Sequence, residues 1–236
     1  MNPVRRLTVA VFTAAIAGAA AAGGMEEHRF GTVRFDELEV RDAGAGKPLA
    51  WEGDAWYGGD FNKLWFKTEG ERLNGKTETA EAELYWSRAI APFWDLQLGA
   101  RREFQPDKPS RNWAAIAVQG LAPYFFESTA TLYVGEAGRT NLRLESEYEL
   151  LLTQRLILLP DFEANLHGKE DRERGIGDGL TELELGLRLR YEFSRKFAPY
   201  VGVNWERLCG ETADLADARR EDIEDTQVVF GIRAWF

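Results

Sequence analysis

The chain has 236 residues, of which 29% are charged, and a formal net charge of −10. An excess of carboxylates argues against a nucleic-acid partner, because phosphate binding rewards clustered lysine and arginine. Cys209 is the only cysteine, which excludes an intrachain disulfide, and beyond the N-terminal segment no stretch reaches the roughly 18 apolar residues of a transmembrane helix.

Residues 1–22 have the features of a secretory signal peptide. Arg5 and Arg6 precede an apolar, alanine-rich run from Leu7 to Ala22, which ends in small residues typical of an A-x-A cleavage site. We expect cleavage near Ala22, then a short periplasmic leader over 23–32 and a membrane domain over 33–236. An uncleaved N-terminal anchor is the alternative, although the run is short for a membrane span.

Apolar and polar residues alternate through most of the remaining chain. In Leu180–Phe193, leucines alternate with Glu182, Glu184, Arg188 and Arg190, and successive side chains of a strand face opposite sides of a sheet. The same alternation predicts strands at Val33–Arg41, Leu49–Tyr57, Asn62–Glu69, Thr77–Arg88, Phe93–Phe104, Asn112–Leu121, Tyr124–Gly135, Thr140–Thr153, Leu156–His167, Phe197–Leu208 and 227–236. Of these, Thr77–Arg88 also suits a helix.

About twelve strands, most near the 9–11 residues that a tilted strand needs to cross a bilayer, predict an all-β protein: a transmembrane antiparallel up-and-down β-barrel. Ten strands remain possible, because the first two segments alternate weakly. If Phe236 is periplasmic, the long segments Gln105–Arg111, Gly168–Gly179 and Cys209–Glu224 fall on the outside and short turns such as Ser194–Lys196 on the inside.

The charged face of the strands must point inward, because lipid offers no hydrogen-bond partners and an arginine on the lipid face costs about 2–4 kcal/mol at mid-bilayer. The predicted interior residues are Glu81, Glu83, Asp95, Arg101, Glu145, Glu147, Asp161, Glu163, Glu184 and Arg188. A twelve-stranded barrel is about 24 Å across, which leaves a passage of at most about 10 Å. A plug of salt bridges and a narrow cation path are both compatible with this interior.

An alanine–proline–aromatic motif occurs three times, at Ala91–Phe93, Ala122–Tyr124 and Ala198–Tyr200. Proline has no N–H for a sheet ladder and suits a strand start. Aromatic rings prefer the membrane interface. We therefore predict three short periplasmic turns with interfacial aromatic residues.

Several of these segments resemble the copper resistance protein B family of outer-membrane proteins. The matching segments are Trp56–Asp60 (WYGGD), Leu64–Gly70 (LWFKTEG), Ala91–Asp95 (APFWD) with Gly99 and Arg101, Gln119–Tyr124 (QGLAPY), Glu147–Pro160 (EYELLLTQRLILLP), Gly186–Glu192 with Ala198–Tyr200, and Gly231–Phe236 (GIRAWF). The resemblance implies copper binding and copper homeostasis at the outer membrane, without catalysis. It also implies contact with outer-membrane lipid and lipopolysaccharide, recognition of Phe236 by the barrel assembly machinery, and a periplasmic multicopper oxidase as a candidate partner.

The resemblance directs attention to methionine and histidine, because thioethers suit Cu(I) and imidazoles suit Cu(II). Family members commonly carry a segment rich in both before the barrel, and here the corresponding leader holds Met25 and His28. In the barrel, His167 should face inward at the outer end of its strand. We hypothesise that His167, with Glu163 or Glu184, contacts a passing copper ion. The alternatives are a strand-end histidine and purely structural carboxylates.

Two other functions compete with the copper interpretation. A general porin or a purely structural barrel fits the same strand pattern. An outer-membrane hydrolase needs a histidine beside a serine on the lipid-facing wall, and Ser87, Ser128 and Ser146 have no evident histidine partner. We therefore predict that the protein is not an enzyme.

Overall fold

The computed structural model describes residues 29–42, 46–106 and 108–236. Strands that follow each other in the chain pair antiparallel, apart from β8 and β9, which both pair with β10, and the last strand pairs with the first, so the sheet closes on itself. The strands are β1 (Phe30–Asp42), β2 (Leu49–Gly58), β3 (Asn62–Leu73), β4 (Lys76–Ala91), β5 (Trp94–Gln105), β6 (Lys108–Ala122), β7 (Phe126–Gly135), β8 (Thr140–Glu147), β9 (Leu150–Leu151), β10 (Leu156–His167), β11 (Gly179–Tyr191), β12 (Phe197–Leu208) and β13 (Glu224–Trp235). Closure leaves no unpaired sheet edge in the membrane.

The barrel has twelve strand positions, as predicted. The two-residue β9 and the longer β8 both pair with β10, on successive parts of it, and so share one position. Thr77–Arg88, for which a helix was the alternative, lies within β4. The first strand begins at Phe30, three residues before the predicted segment.

The apolar face of the sheet points outward, which is the reverse of a soluble barrel. In β11, Leu185 and Leu187 have 47% and 48% of their surface exposed, whereas Arg188 and Arg190 have 7% and 3%. This arrangement is stable only where lipid surrounds the wall, because lipid solvates leucine and cannot solvate a guanidinium group. The predicted inward orientation of the charged face is confirmed.

The two longest connections lie at the end of the barrel opposite the termini. They are residues 168–178, between β10 and β11, and residues 209–223, which contain helix α1 (Gly210–Arg219). We assign this end to the outside, because outer-membrane barrels place their longer loops there. The predicted long loop at Gln105–Arg111 is wrong, since β5 continues to Gln105 and β6 begins at Lys108. Within the described part of the chain, no helix is both long and apolar enough to cross a bilayer.

Two of the three alanine–proline–aromatic motifs form the predicted turns. Phe93 and Tyr124 are 76% and 83% exposed at the periplasmic end, and both have positive φ. The third prediction is wrong: Pro199 and Tyr200 lie inside β12. Tyr200 faces the lumen, where its hydroxyl donates a hydrogen bond of 2.9 Å to Glu39 Oε2.

The inner wall over β3–β7 carries an aromatic cluster that the alternation did not predict. Its buried members are Trp65, Tyr85, Trp113, Ala115 and Tyr133. Cationic groups stand over these rings; the Arg101 guanidinium lies 3.9 Å from the centroid of the Tyr133 ring. The cluster packs against the cavity of the lumen, because Trp65 and Tyr133 are among the residues that line it.

Candidate functional site

Carboxylates on neighbouring strands form two rows inside the barrel. Within each row every residue is the register partner of the next, on the adjacent strand position. The first carboxylate row is Glu37, Glu52, Glu69, Glu81 and Glu103, on β1 to β5. The second carboxylate row is Glu145, Glu163, Glu184, Glu206 and Asp225, on β8 and β10 to β13. Register partners of like charge repel each other, so both rows attract cations.

Two arginines connect the rows across the lumen. The Arg143 guanidinium lies 3.4 Å from Glu69 and 3.2 Å from Glu81 in the first row, and 3.2 Å from Glu163 in the second. Arg41 lies 3.5 Å from Glu37 and 3.8 Å from Glu184. These contacts compensate part of the repulsion. Within the described residues, Glu52 and Glu145 have no ion pair or hydrogen bond.

Members of both rows line a cavity of about 560 Å³. Fourteen carboxylates and seven cationic side chains line it, an excess of seven negative charges. The carboxylates are Asp36, Glu37, Glu52, Asp54, Glu69, Glu71, Glu81, Glu83, Glu127, Glu145, Glu147, Asp161, Glu163 and Glu184. A water-filled space with this lining concentrates cations, because low-dielectric walls focus the field of the carboxylates.

His167 is the last residue of β10, at the extracellular end. Its Nδ1 lies 2.9 Å from Thr181 Oγ1, and that hydroxyl donates its hydrogen to the Asn165 carbonyl oxygen at 2.9 Å. The Thr181 oxygen therefore accepts from His167 Nδ1–H, and the resulting tautomer carries its lone pair on Nε2. Among the described residues Nε2 has no partner. An imidazole oriented through one nitrogen and free at the other is typical of metal ligands.

The structure brings together two of the three predicted barrel ligands. Glu163 and Glu184 are register partners on β10 and β11 and line the cavity, whereas His167 is four residues further along β10, a rise of about 13 Å along the strand. Over residues 29–42, 46–106 and 108–236, no group of three or more histidine, cysteine, aspartate or glutamate side chains is arranged to hold a metal ion. Met25 and His28 lie outside the described residues.

The connection 168–178 folds over the extracellular mouth. Asp171 is held by Arg111 at 2.8 Å and by Arg139 at 3.2 Å, and Arg174 contacts Glu103 and Gln105 on β5. Burial alone would raise the pKa of Asp171, but the hydrogen bonds and charge of Arg111, with those of its neighbouring arginines, hold that pKa below its ordinary value. These ion pairs fix the loop to the far wall of the barrel.

The serines considered for a hydrolase make other contacts. Ser87 Oγ donates to Asp95 Oδ2 at 3.1 Å, and the hydroxyls of Ser128 and Ser146 lie 3.2 Å from each other. His167 contacts Thr181 instead. The geometry therefore pairs none of these serines with His167.

Comparison with known proteins identifies the family. The family model of the copper resistance protein B precursor (CopB) matches residues 29–236. Copper resistance protein B of Escherichia coli is 50% identical over 206 residues, which cover 86% of this chain and 69% of the relative. The copper resistance protein B homolog of Pseudomonas syringae pv. tomato (strain ATCC BAA-871 / DC3000) is 49% identical over 201 residues, which cover 85% of this chain and 68% of that relative.

Solved structures support the fold. The NanC porin has a TM-score of 0.55 and 11% sequence identity, and the match covers 87% of this chain and 99% of that one. The KdgM porin has a TM-score of 0.50 at 11% identity, with the same coverage. At this identity the likeness concerns the barrel alone. The matches of sequence and family model, which extend over nearly all the described residues, show that this chain belongs to the copper resistance protein B family of outer-membrane proteins.

Proposed function

We propose that the barrel binds Cu(II) ions in its acidic lumen and passes them across the outer membrane. The observation that carries this proposal is the excess of seven carboxylates in the cavity lining. Membership in a copper resistance family supplies the identity of the cation. Sites built from nitrogen and oxygen tend to favour Cu(II) among divalent first-row ions.

The proposed path begins at His167 and continues along the second carboxylate row. His167 offers a lone pair on Nε2 at the extracellular end, and Glu163 and Glu184 follow deeper in the barrel. Because His167 lies four residues beyond Glu163 in β10, a rise of about 13 Å along the strand, we expect an ion to contact them in succession rather than as one chelate. Arg143 and Arg41 compete for the same carboxylates, which keeps each contact weak enough for release.

Isothermal titration of the refolded barrel with Cu(II) tests the proposal. We expect His167→Ala, Glu163→Gln and Glu184→Gln each to weaken binding about tenfold. Glu78→Gln is the matched control, because Glu78 is an exposed glutamate of β4 without an ion pair among the described residues. Unchanged affinity in all three lumen variants would overturn the proposed path.

A general porin is the second candidate, because a closed barrel with a cavity in its lumen also suits unselective diffusion. A porin predicts large, weakly selective currents in planar bilayers and no copper sensitivity in a deletion strain. The copper proposal predicts small, cation-selective currents that Cu(II) reduces, together with copper sensitivity. The two measurements therefore separate the candidates.

The partners belong to the same proposal. Phe236, the last residue, is 70% exposed at the periplasmic end and suits recognition by the barrel assembly machinery. A periplasmic multicopper oxidase would exchange copper with the periplasmic leader that holds Met25 and His28. Co-purification of the oxidase with wild-type protein, and its loss in a Met25→Ala, His28→Ala double variant, would support this partner.

A further inference from the structure

Arg102 is an outward-facing arginine on the lipid-facing wall. Its neighbours in β5, Arg101 and Glu103, are buried inside the barrel, whereas Arg102 is exposed. Within the described residues it has no ion pair and no hydrogen bond. Its guanidinium group is therefore available to an anionic group outside the barrel, at the level of the membrane interface.

A shallow groove of about 590 Å³ lies beside Arg102. It arises where two alanines, Ala100 and Ala114, are register partners and stand between the larger Leu84 and Val134. Because alanine side chains are short, the outer surface of the barrel is recessed here. The recess is about 10 Å wide, twice the distance between neighbouring strands. Two residues further along β5, toward the β5–β6 turn, Arg102 lies between its register partners Ala82 and Asn112 and borders the groove at that end.

The position of Arg102 indicates which leaflet it meets. It lies in the part of β5 that approaches the β5–β6 turn, at the end of the barrel opposite the termini, and this end is extracellular. The row on the other side of the groove, formed by Trp86, Leu98 and Ile116, is bulky and closes it toward the membrane centre. The groove therefore lies in the outer leaflet, with apolar side chains toward the membrane centre and the cationic Arg102 toward the extracellular end.

We propose that Arg102 and this alanine groove bind one molecule of lipopolysaccharide, with a phosphate of its lipid A at Arg102 and an adjacent acyl chain over Ala100 and Ala114. Arginine matches phosphate with paired N–H donors. Asn112, exposed beside Arg102, adds a side-chain amide at the same level. Glu136 borders the groove at its extracellular end, where a divalent cation can link a carboxylate to a second phosphate.

Arg88 provides the matched control. It is also an exposed arginine without an ion pair or hydrogen bond among the described residues, but it lies on β4 near the periplasmic end. Its register partners are Asn62 and Leu96, and it does not border the groove. It therefore has the same charge on the same wall, without the apolar groove and in the inner leaflet.

Native mass spectrometry of the full barrel, released from detergent and titrated with bis-phosphorylated lipid A, tests the proposal. We expect one bound lipid A, with affinity reduced about tenfold in Arg102→Ala and in Ala114→Leu, which fills the groove. Arg102→Lys should retain part of the affinity, and Arg88→Ala all of it. Phosphatidylglycerol should bind no better to wild type than to Arg102→Ala.

Several results would overturn the proposal. The first is equal lipid A binding by wild type, Arg102→Ala and Ala114→Leu. The second is a loss of affinity in Arg88→Ala as large as that in Arg102→Ala. The third is binding of phosphatidylglycerol as tight as that of lipid A. Heat-modifiable migration in gels verifies that each variant is folded. The side chain at position 114 points outward, so the Ala114→Leu variant should fold. A loss of lipid A binding in that variant therefore reports on the groove.

Discussion

Arg188 on β11 lies 2.6 Å from Glu37 on β1, although β12 and β13 separate the two strands. The same guanidinium group contacts Asp161 on the other side, at 2.7 Å. The contact therefore crosses the lumen near the seam where β13 meets β1. Outside the aromatic cluster, ion pairs of this kind connect distant parts of the wall.

Removing Arg188 should destabilise the barrel strongly. An Arg188→Met substitution keeps most of the side-chain volume but leaves Asp161 without a cation, and leaves Glu37 and Glu39 with Arg41 alone. Breaking a buried ion pair from one side costs about 3–5 kcal/mol. We expect this loss in the free energy of unfolding, measured in urea with protein refolded into vesicles. Arg155→Met, in an exposed periplasmic turn, is the control, and equal stability of the two variants would contradict the role of Arg188.

The outward orientation of the leucines of β11 can be tested by introducing a single charged side chain. Leu187 is outward-facing in the middle of β11, 48% exposed, so Leu187→Arg should lower the stability by about 2–4 kcal/mol in vesicles. Leu180→Arg, at the extracellular end of the same strand, should cost about 0–1 kcal/mol. Similar losses from both substitutions would mean that depth in the bilayer does not decide the cost.

Local alternation was sufficient to predict the barrel because each strand meets lipid on one side and the lumen on the other. Every second residue of β11 could therefore be assigned to a face from the sequence alone. Tyr200 shows the limit: its proline-containing motif matches two turn motifs, yet it lies inside β12, where its hydroxyl binds Glu39, 161 residues away in sequence. Such a contact depends on closure of the barrel.

The carboxylate rows required knowledge of register. The Asn74–Gly75 turn suggests a hairpin between β3 and β4, but a bulge between Glu71 and Arg72 shifts the pairing before Glu69 meets Glu81. The sequence correctly predicted that His167 lies at the outer end of its strand. Its distance from the cavity could not be predicted, for the same reason. The alternation places Arg143 on the charged face with Glu145 but does not show that Arg143 and Arg41 join the two rows, because those contacts depend on closure of the barrel.

Gly231 provides a test of packing inside the lumen. A Cβ atom at this position would lie 2.4 Å from the Tyr200 ring and 2.8 Å from Glu39 Cβ, so the glycine allows the tyrosine to cross β13 and reach Glu39. We expect Gly231→Ala to cost about 1–3 kcal/mol, by displacing the ring. In the Tyr200→Ala background the same substitution should cost little, and an undiminished cost there would argue against this explanation.

The loop over the mouth should remain closed until the solution is strongly acidic. The pKa of Asp171 is held below its ordinary value of about 3.9 by Arg111 and its neighbours, so the folded loop favours the charged form. The contribution of this pair is therefore fully present above about pH 4, and it is lost as the pH falls through the lowered pKa. Neutral pH and mild acid should leave the loop unchanged.

Hydrogen exchange of residues 168–178, measured in detergent between pH 7 and pH 3 and corrected for the intrinsic exchange rate, checks this expectation. Protection should stay constant down to about pH 4 and then fall. Asp171→Asn should reduce protection above about pH 4 and raise the single-channel conductance there, because Arg111 and Arg139 lose the charge that holds the loop across the mouth. Glu170→Gln is the control, since Glu170 pairs with the exposed Arg172 of the same loop. A fall in protection between pH 7 and pH 5 would show that a different group holds the loop.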